Sequence, residues 1–290
     1  VDDLIAEGHD VVVLDDLSSG KAEQLDRRAH LIVGDVADPS AVARAFEGVS
    51  RCFHLAAIAS VERSNADWVN THRTNQTGTV CVLDQARPRG GRAAVPVVYA
   101  SSAAVYGDAG IAPIAESTSA QPLTAYGADK LGSELHAGIA WNVHRVPTTG
   151  LRFFNVYGPR QDAASPYSGV ISIFADRLQR NLPIAVYGDG TQVRDFVYVA
   201  DVVRHLRQAM TQCREGARIY NVCTGAATSI RELARLIGEL LGRAPEIRFE
   251  PRRAGDILRS VGSPERAQRE LGLAAKVTID EGLRALLADG

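Results

Sequence analysis

A chain of 290 residues, 46% hydrophobic and 23% charged, can bury a large core in one large domain or two smaller ones. Its 32 basic and 34 acidic side chains leave a net charge of −2 and form no long block of either sign, which speaks against a nucleic-acid or membrane-surface partner. Cys52, Cys81, Cys213 and Cys223 are scattered, with no C-x-x-C pair and no histidine at ligand spacing. Neither a disulfide framework nor a structural metal is therefore expected, and a reducing, cytoplasmic setting fits. No apolar run reaches the roughly 18 residues of a membrane span, and the N-terminus lacks a basic-then-apolar signal pattern.

The chain begins VDDLIAEGHDVVVLDD, which reads as the end of a helix, a turn, a buried strand and two acids. This is the second half of a dinucleotide-binding unit. Asp15, at the strand's end, can accept from both ribose hydroxyls and would repel a 2′-phosphate, favouring NAD over NADP. The alternative is a turn-forming Asp in DDLSSG, the preferred reading for Asp16. A glycine-rich loop G-x-G-x-x-G normally precedes such an acid by about 20 residues, so a short strand and glycine loop are expected ahead of Val1.

Apolar or β-branched runs then follow in order: LIV at Leu31, CFHLA at Cys52, VPVVYAS at Val95 and TTGLRFF at Thr148. Helical patterns separate them: AVARAFEG, residues 67–87 and residues 126–144, with RPRGGR at 87–92 read as a solvated loop. Continuous apolar strands alternating with helices predict a doubly wound parallel α/β sheet, covered on both faces, whose ligands bind beyond the carboxyl ends of the strands. The loop NVYGPRQDAASPYSG is longer than an ordinary connection and is expected to be functional.

Beyond that loop the pattern predicts a helix at 170–180, strands IAVYG and RDFVYV, a helix, and strand RIYNV. There follow a helix IRELARLIGELLG capped by Ser229, a strand EIRFE and two short helices, the first with Ser263 as N-cap and Pro264 at its first position. The organisation expected is a Rossmann-like domain over 1–155 and a smaller substrate lobe over 156–290, with 194–228 returning to the first domain.

The chemistry concentrates in Tyr126-Gly-Ala-Asp-Lys130. Four residues apart at a helix start, Tyr126 and Lys130 share a face. A free phenol titrates near 10, and a fixed cation beside it favours the phenolate, making a base that works near neutral pH. VVYASSAAVYG ends its strand in Ser101 and Ser102, whose hydroxyls can meet a substrate oxygen where the sheet opens. Each feature alone has a bland reading: a surface tyrosine along a lysine stem, or hydroxyls satisfying local backbone.

Taken in order, VVVLDDLSSG, GDVAD, HLAAIASV, NQTGT, SSAAVYG, YGADK, LRFFNVYGPRQ, AVYGDGTQVRDFVYVADV, YNVCTG and RRAGD resemble the extended short-chain dehydrogenase/reductase family over essentially the whole chain. Within it the nucleotide-sugar branch, particularly the UDP-glucose 4-epimerases, is most similar. The resemblance implies NAD as cofactor. Asp15 would hold the adenosine ribose, Asp35 and Val36 would border the adenine, and Leu55, Ala56, Ala57 and Asn75 would line the cofactor. Tyr126 would be the base, Lys130 would bind the nicotinamide ribose and lower the tyrosine's pKa, and Ser102 would hold the reacting sugar oxygen.

On the substrate side, the resemblance places Asn155 at the diphosphate, Tyr187 beside the uracil, Arg194 and Arg253 on the phosphates and Asp256 on the uridine ribose. Guanidinium forks suit phosphate oxygens. Dehydratases of the family carry Asp-Glu directly after the strand-end Ser or Thr, and decarboxylases a Glu; here those positions are Ala103 and Ala104, which cannot transfer protons. The implied activity is 4-epimerisation of a UDP-hexose through a 4-keto intermediate. In the family the position of Ser260 gates the sugar pocket, and a small residue leaves room for an N-acetyl group. A homodimer through the helices near 75–87 and 126–144 is also implied. The competing readings are another nucleotide-sugar enzyme of the family (decarboxylase, dehydratase or reductase) and a non-catalytic nucleotide-binding regulator.

Overall fold

Short apolar runs separated by helices favour parallel ladders, because a helical crossover can return the chain to the same end of the sheet. In the computed structural model, which describes residues 1–161, 169–252 and 257–288, β1 (Val12–Asp15) pairs with β2 (His30–Val33). A second ladder holds β3 (Cys52–His54), β4 (Val97–Ser102) and β5 (Thr148–Phe153). Next come β6 (Asn155–Tyr157), β7 (Ile184–Tyr187), β8 (Val193–Arg194) and β9 (Phe196–Tyr198). The chain then returns as β10 (Ala217–Val222) beside β5, giving the parallel order β10-β5-β4-β3. The later strands are β11 (Thr228–Ser229), β12 (Ile247–Glu250) and β13 (Arg259–Ser260).

The helices are α1 (Asp2–Ala6), α2 (Pro39–Ala45), α3 (Val61–Ala66), α4 (Trp68–His72), α5 (Gly78–Gln85), α6 (Ala125–His144), α7 (Val170–Gln179), α8 (Val199–Gln212), α9 (Ile230–Leu240), α10 (Glu265–Leu271) and α11 (Ile279–Ala288). None among the described residues is long and apolar enough to cross a membrane. Successive side chains of β4 go to opposite faces. Val97 and Tyr99 pack with Val82 and Leu83 of α5 and Ala137 and Ala140 of α6. Val98 packs on the other face with Leu206 and Met210 of α8 and Leu271 of α10. Both faces are covered, the doubly wound arrangement the continuous apolar runs predict. A separate cluster joins α7, α9 and α11 to β7 and β9.

Four details depart from the pattern. β1, expected to be buried, is only half covered, with Val12 38% exposed, because it pairs with β2 alone among the described residues. The helix expected over 67–87 is interrupted by a π-turn at Arg73–Thr77 between α4 and α5. RDFVYV is two strands broken at Asp195, whose carboxylate turns inward. Ser263 lies one residue outside the cap position: Pro264 is the N-cap of α10, and Ser263 Oγ accepts from Glu265 N at 3.4 Å. Ser229 does cap α9, accepting from Glu232 N at 3.1 Å. Of residues 194–228, α8 and β10 pack onto the four-stranded sheet, whereas β8 and β11 pair with each other and β8 with β13.

Candidate active site

α6 delivers its first turn to the carboxyl end of β4. Thr124 caps it, Oγ1 accepting from Gly127 N at 3.1 Å. A Cβ on Gly127 would stand 2.6 Å from the Ala104 carbonyl, so this close approach of helix to turn requires glycine. Tyr126 and Ser102 lie side by side: burial pushes the Tyr126 phenol up, and the neighbouring Ser102 hydroxyl opposes that shift. Ser102 Oγ also accepts from Ala104 N at 3.1 Å.

Lys130 is 4% exposed; its Nζ donates to the Ala100 carbonyl at 2.8 Å and lies 5.8 Å from the Tyr126 ring centroid. The shared helical face is present. The cation, however, stands over the ring, and Ser102 is the side chain that opposes the upward shift of the phenol. Burial pushes Lys130 down to about 8, with the Asp129 carboxylate pulling the other way. Beneath it, burial and then Lys130 push His54 down to about 3; its Nε2 is 3.0 Å from Thr79 Oγ1.

The residues assigned to the cofactor line the ends of β1, β2 and β3. Asp15 Oδ1 accepts from Leu17 N at 2.8 Å, and Asp16 repeats this turn with Ser18 N at 2.9 Å. Asp15 borders an open cleft of about 570 Å³ together with Leu17, Gly20, Arg160 and Arg204. Gly34 N donates to the Asp15 carbonyl, bringing the Asp35 loop alongside. Burial raises the Asp35 carboxyl, but the Ala37 N–H and Arg73 together hold it below its ordinary value. Val36 is buried against Gly78, Leu55 is 48% exposed, and Ala56 and Ala57 are half-buried. Asn75, in the π-turn, spends its amide on the loop after β3, accepting from Ile58 N at 2.7 Å and donating to Ile58 O at 3.1 Å.

On the substrate side, Arg194 and Ser260 are register partners across β8 and β13. Arg194 donates to the carbonyls of Val193 and Ile257 at 3.0 and 2.7 Å. Asn155 is exposed at the start of β6, its N–H on the Asp195 carbonyl, and Tyr187 ends β7 half-exposed. Arg253 and Asp256 lie outside the described residues.

Sequence reasoning missed Asp195, which is fully buried. One oxygen accepts from Thr224 N and Oγ1, the other from Gly225 N and Gly262 N. It ties the β8 end to the loops after β10 and β13. A charge inside a strand-like run was the available signal, since such a residue is buried only when its carboxylate is satisfied.

A doubly wound parallel sheet with a Ser–Tyr–Lys group at its carboxyl end defines a Rossmann-like short-chain dehydrogenase/reductase. The family model described as NAD dependent epimerase/dehydratase family matches residues 1–223. The chain belongs to that family. A UDP-glucose 4-epimerase of Mycolicibacterium smegmatis is 36% identical over 98% of this chain and 91% of its own length. The structure of a UDP-glucose 4-epimerase with UDP-glucose from Thermotoga maritima superposes with a TM-score of 0.94 at 33% identity, covering 99% and 93% of the two chains. DesIV, a dTDP-glucose 4,6-dehydratase from Streptomyces venezuelae with NAD and TYD bound, reaches 0.90 at 29% identity, covering 99% and 91%. Relatives at similar identity thus span more than one reaction. The residues present fit the family's NAD: a carboxylate at the β1 end borders a cleft, and Val36 after β2 and Leu55, Ala56 and Ala57 after β3 supply apolar surface.

Proposed function

We propose that the chain interconverts UDP-glucose and UDP-galactose by inversion at C4 and, through the small Ser260, also accepts the N-acetylated pair. The observation that carries this reading is the Ser102–Tyr126–Lys130 group followed by Ala103 and Ala104 in the turn Ala103–Tyr106. At those two positions the turn offers no acid or base to expel water from a neighbouring carbon.

Tyr126 takes the C4 hydroxyl proton, and Ser102, beside the phenol, holds the same oxygen as it passes from hydroxyl to carbonyl. Lys130, as ammonium, stabilises the phenolate and contacts the nicotinamide ribose. NAD, when bound, supplies a reversible hydride acceptor, so the cycle has no net redox change. After the 4-keto sugar turns over, Tyr126 returns its proton to the same oxygen and C4 is inverted. Asp15, Asp35, Val36, Leu55, Ala56, Ala57 and Asn75 form the cofactor side of this reading. Asn155, Tyr187, Arg194, Arg253, Asp256 and Ser260 form the UDP-sugar side.

The same reading includes a homodimer. Leu135, Ile139 and Val143 stand 64, 53 and 64% exposed at four-residue spacing on α6, a stripe one helix of a partner would cover. A cytoplasmic setting suits the four cysteines, all free thiols.

The test is a UDP-galactose turnover assay on purified protein, with nucleotide released by denaturation identified by mass. Epimerisation with NAD released supports the reading; loss of water or carbon dioxide from the sugar assigns another family reaction; no turnover with nucleotide bound favours a regulator. Ser260→Tyr is expected to abolish turnover of the N-acetyl pair and spare the plain hexoses. A wild type inactive on the N-acetyl pair refutes that part.

A further inference from the structure

We propose that Glu134 and Arg152 are positioning residues that hold Ser102 and Tyr126 side by side in the geometry the reaction needs. The inference rests on the proposed function above and adds residues that neither motif nor spacing pointed to. Tyr126, Lys130 and Glu134 recur every four residues and share one face of α6. Two of them are fastened to β4, Lys130 to the Ala100 carbonyl at 2.8 Å and Glu134 Oε1 to Ser101 Oγ at 2.5 Å, and Tyr126 stands beside Ser102 at the same strand's end. Successive turns of the helix are thus pinned to consecutive residues of one strand, directly behind the reacting pair.

The Glu134 attachment is the most heavily built. Arg152 is the register partner of Ser101 across β4 and β5. It forks onto the same carboxylate, Nε to Oε1 at 2.8 Å and one terminal nitrogen to Oε2 at 2.7 Å, a bidentate pair that fixes orientation as well as distance. Both side chains are over nine-tenths buried. The guanidinium also lies 4.6 Å from the ring centroid of Tyr106, in the turn that carries the chain away from Ser102. Tyr106 Oη in turn donates to Asn221 Oδ1 at 2.7 Å, tying that turn to β10.

A buried ion pair is poorly explained by stability, since well-packed apolar residues of similar volume often serve as well or better. Its geometric effect is specific. It locks the helix that carries the phenol to β5, the register neighbour of the strand that carries the hydroxyl, and fixes the carboxylate that holds Ser101 of that strand. Displacing reacting groups by about 1 Å can cost about 100-fold in rate.

The decisive variant is Glu134→Met with Arg152→Met, which removes both charges and keeps the volume. Its melting temperature is expected within about 5 °C of wild type, its KM for the UDP-sugar within about threefold, and its kcat down by about 10- to 100-fold. Amide exchange at residues 102–106 and 125–130 is expected to quicken. A double variant with wild-type kcat and wild-type exchange overturns the proposal.

Should the double variant not fold, Ser101→Ala cuts only the tie between Glu134 and β4. It is expected to lower kcat at constant KM, with Ser101→Thr restoring it. Unchanged kcat in Ser101→Ala overturns the proposal equally. Exchange is read without substrate, so it decides positioning even if the wild type proves inactive on UDP-galactose, an outcome that counts against the proposed function alone.

Discussion

The seam between β4 and α6 and the strand pair β1–β2 both present polar groups to the cleft side of the sheet, and they are built in opposite ways. Val97 and Val98 of β4 are fully buried, whereas Val12 and Val33 of the pair are 38 and 60% exposed. Along the seam the polar contacts join residues 30 or more positions apart, as in Lys130 to Ala100 and Ser101 to Glu134. In the pair they are local: Asp15 with Leu17, Asp16 with Ser18. Proton transfer needs two groups held at a fixed distance, which only packing of remote elements provides. Ribose recognition needs one carboxylate at a strand's end, which a two-residue turn suffices to orient.

The largest effect should come from the seam. Tyr126→Phe removes the proton acceptor without changing the packing and is expected to lower kcat by about 10³-fold or more, with the melting temperature unchanged. Near-normal turnover would break the comparison outright.

Lys130→Met should follow, with about a 100-fold loss. In the wild type, activity should fall as pH rises through about 8, where Lys130 loses its proton. Stability should move the other way. Burial disfavours the ammonium, so Lys130 is a liability below about 8, where folded and unfolded chains both hold the proton. That liability fades as pH climbs towards the ordinary value of 10.5, because there only the folded chain has released it. Denaturation of wild type and Lys130→Met on either side of this window measures it: the variant's stability advantage should shrink at the alkaline side.

Asp15→Ala should weaken NAD binding by about tenfold, roughly 1.4 kcal/mol, and narrow the preference over NADP, with little change in kcat at saturating cofactor. Calorimetric titration with both dinucleotides checks it. Asp16→Ala, the same turn one residue on, should change neither cofactor binding nor stability by more than about 0.5 kcal/mol. Equal effects at the two positions would show that the turn, not the Asp15 carboxylate, does the recognising.

Much of this was legible in advance where the signal is local. The runs VVYASS and TTGLRF could be read as strands because β-branched, aromatic and apolar residues dominate them, and YGADK as a helix start because Tyr126 and Lys130 fall one turn apart. The break at Asp195 was not legible, because its carboxylate is satisfied by Thr224, Gly225 and Gly262 from distant loops. The π-turn before Gly78 was hidden too, since Asn75 is held there by Ile58, seventeen residues back.

The Glu134–Arg152 pair shows the same limit most plainly. In the sequence they are 18 positions apart on different elements, with nothing to mark them as partners. The sequence by itself determined the parallel α/β pattern and the order of the chemical groups, because strand alternation, helical periodicity and motif spacing are short-range properties of the chain. Only the tertiary structure decided that Lys130 takes the Ala100 carbonyl, that its cation stands over the Tyr126 ring, and that a buried ion pair between α6 and β5 holds the carboxylate bonded to Ser101. Those outcomes depend on which remote atoms burial leaves as the available partners.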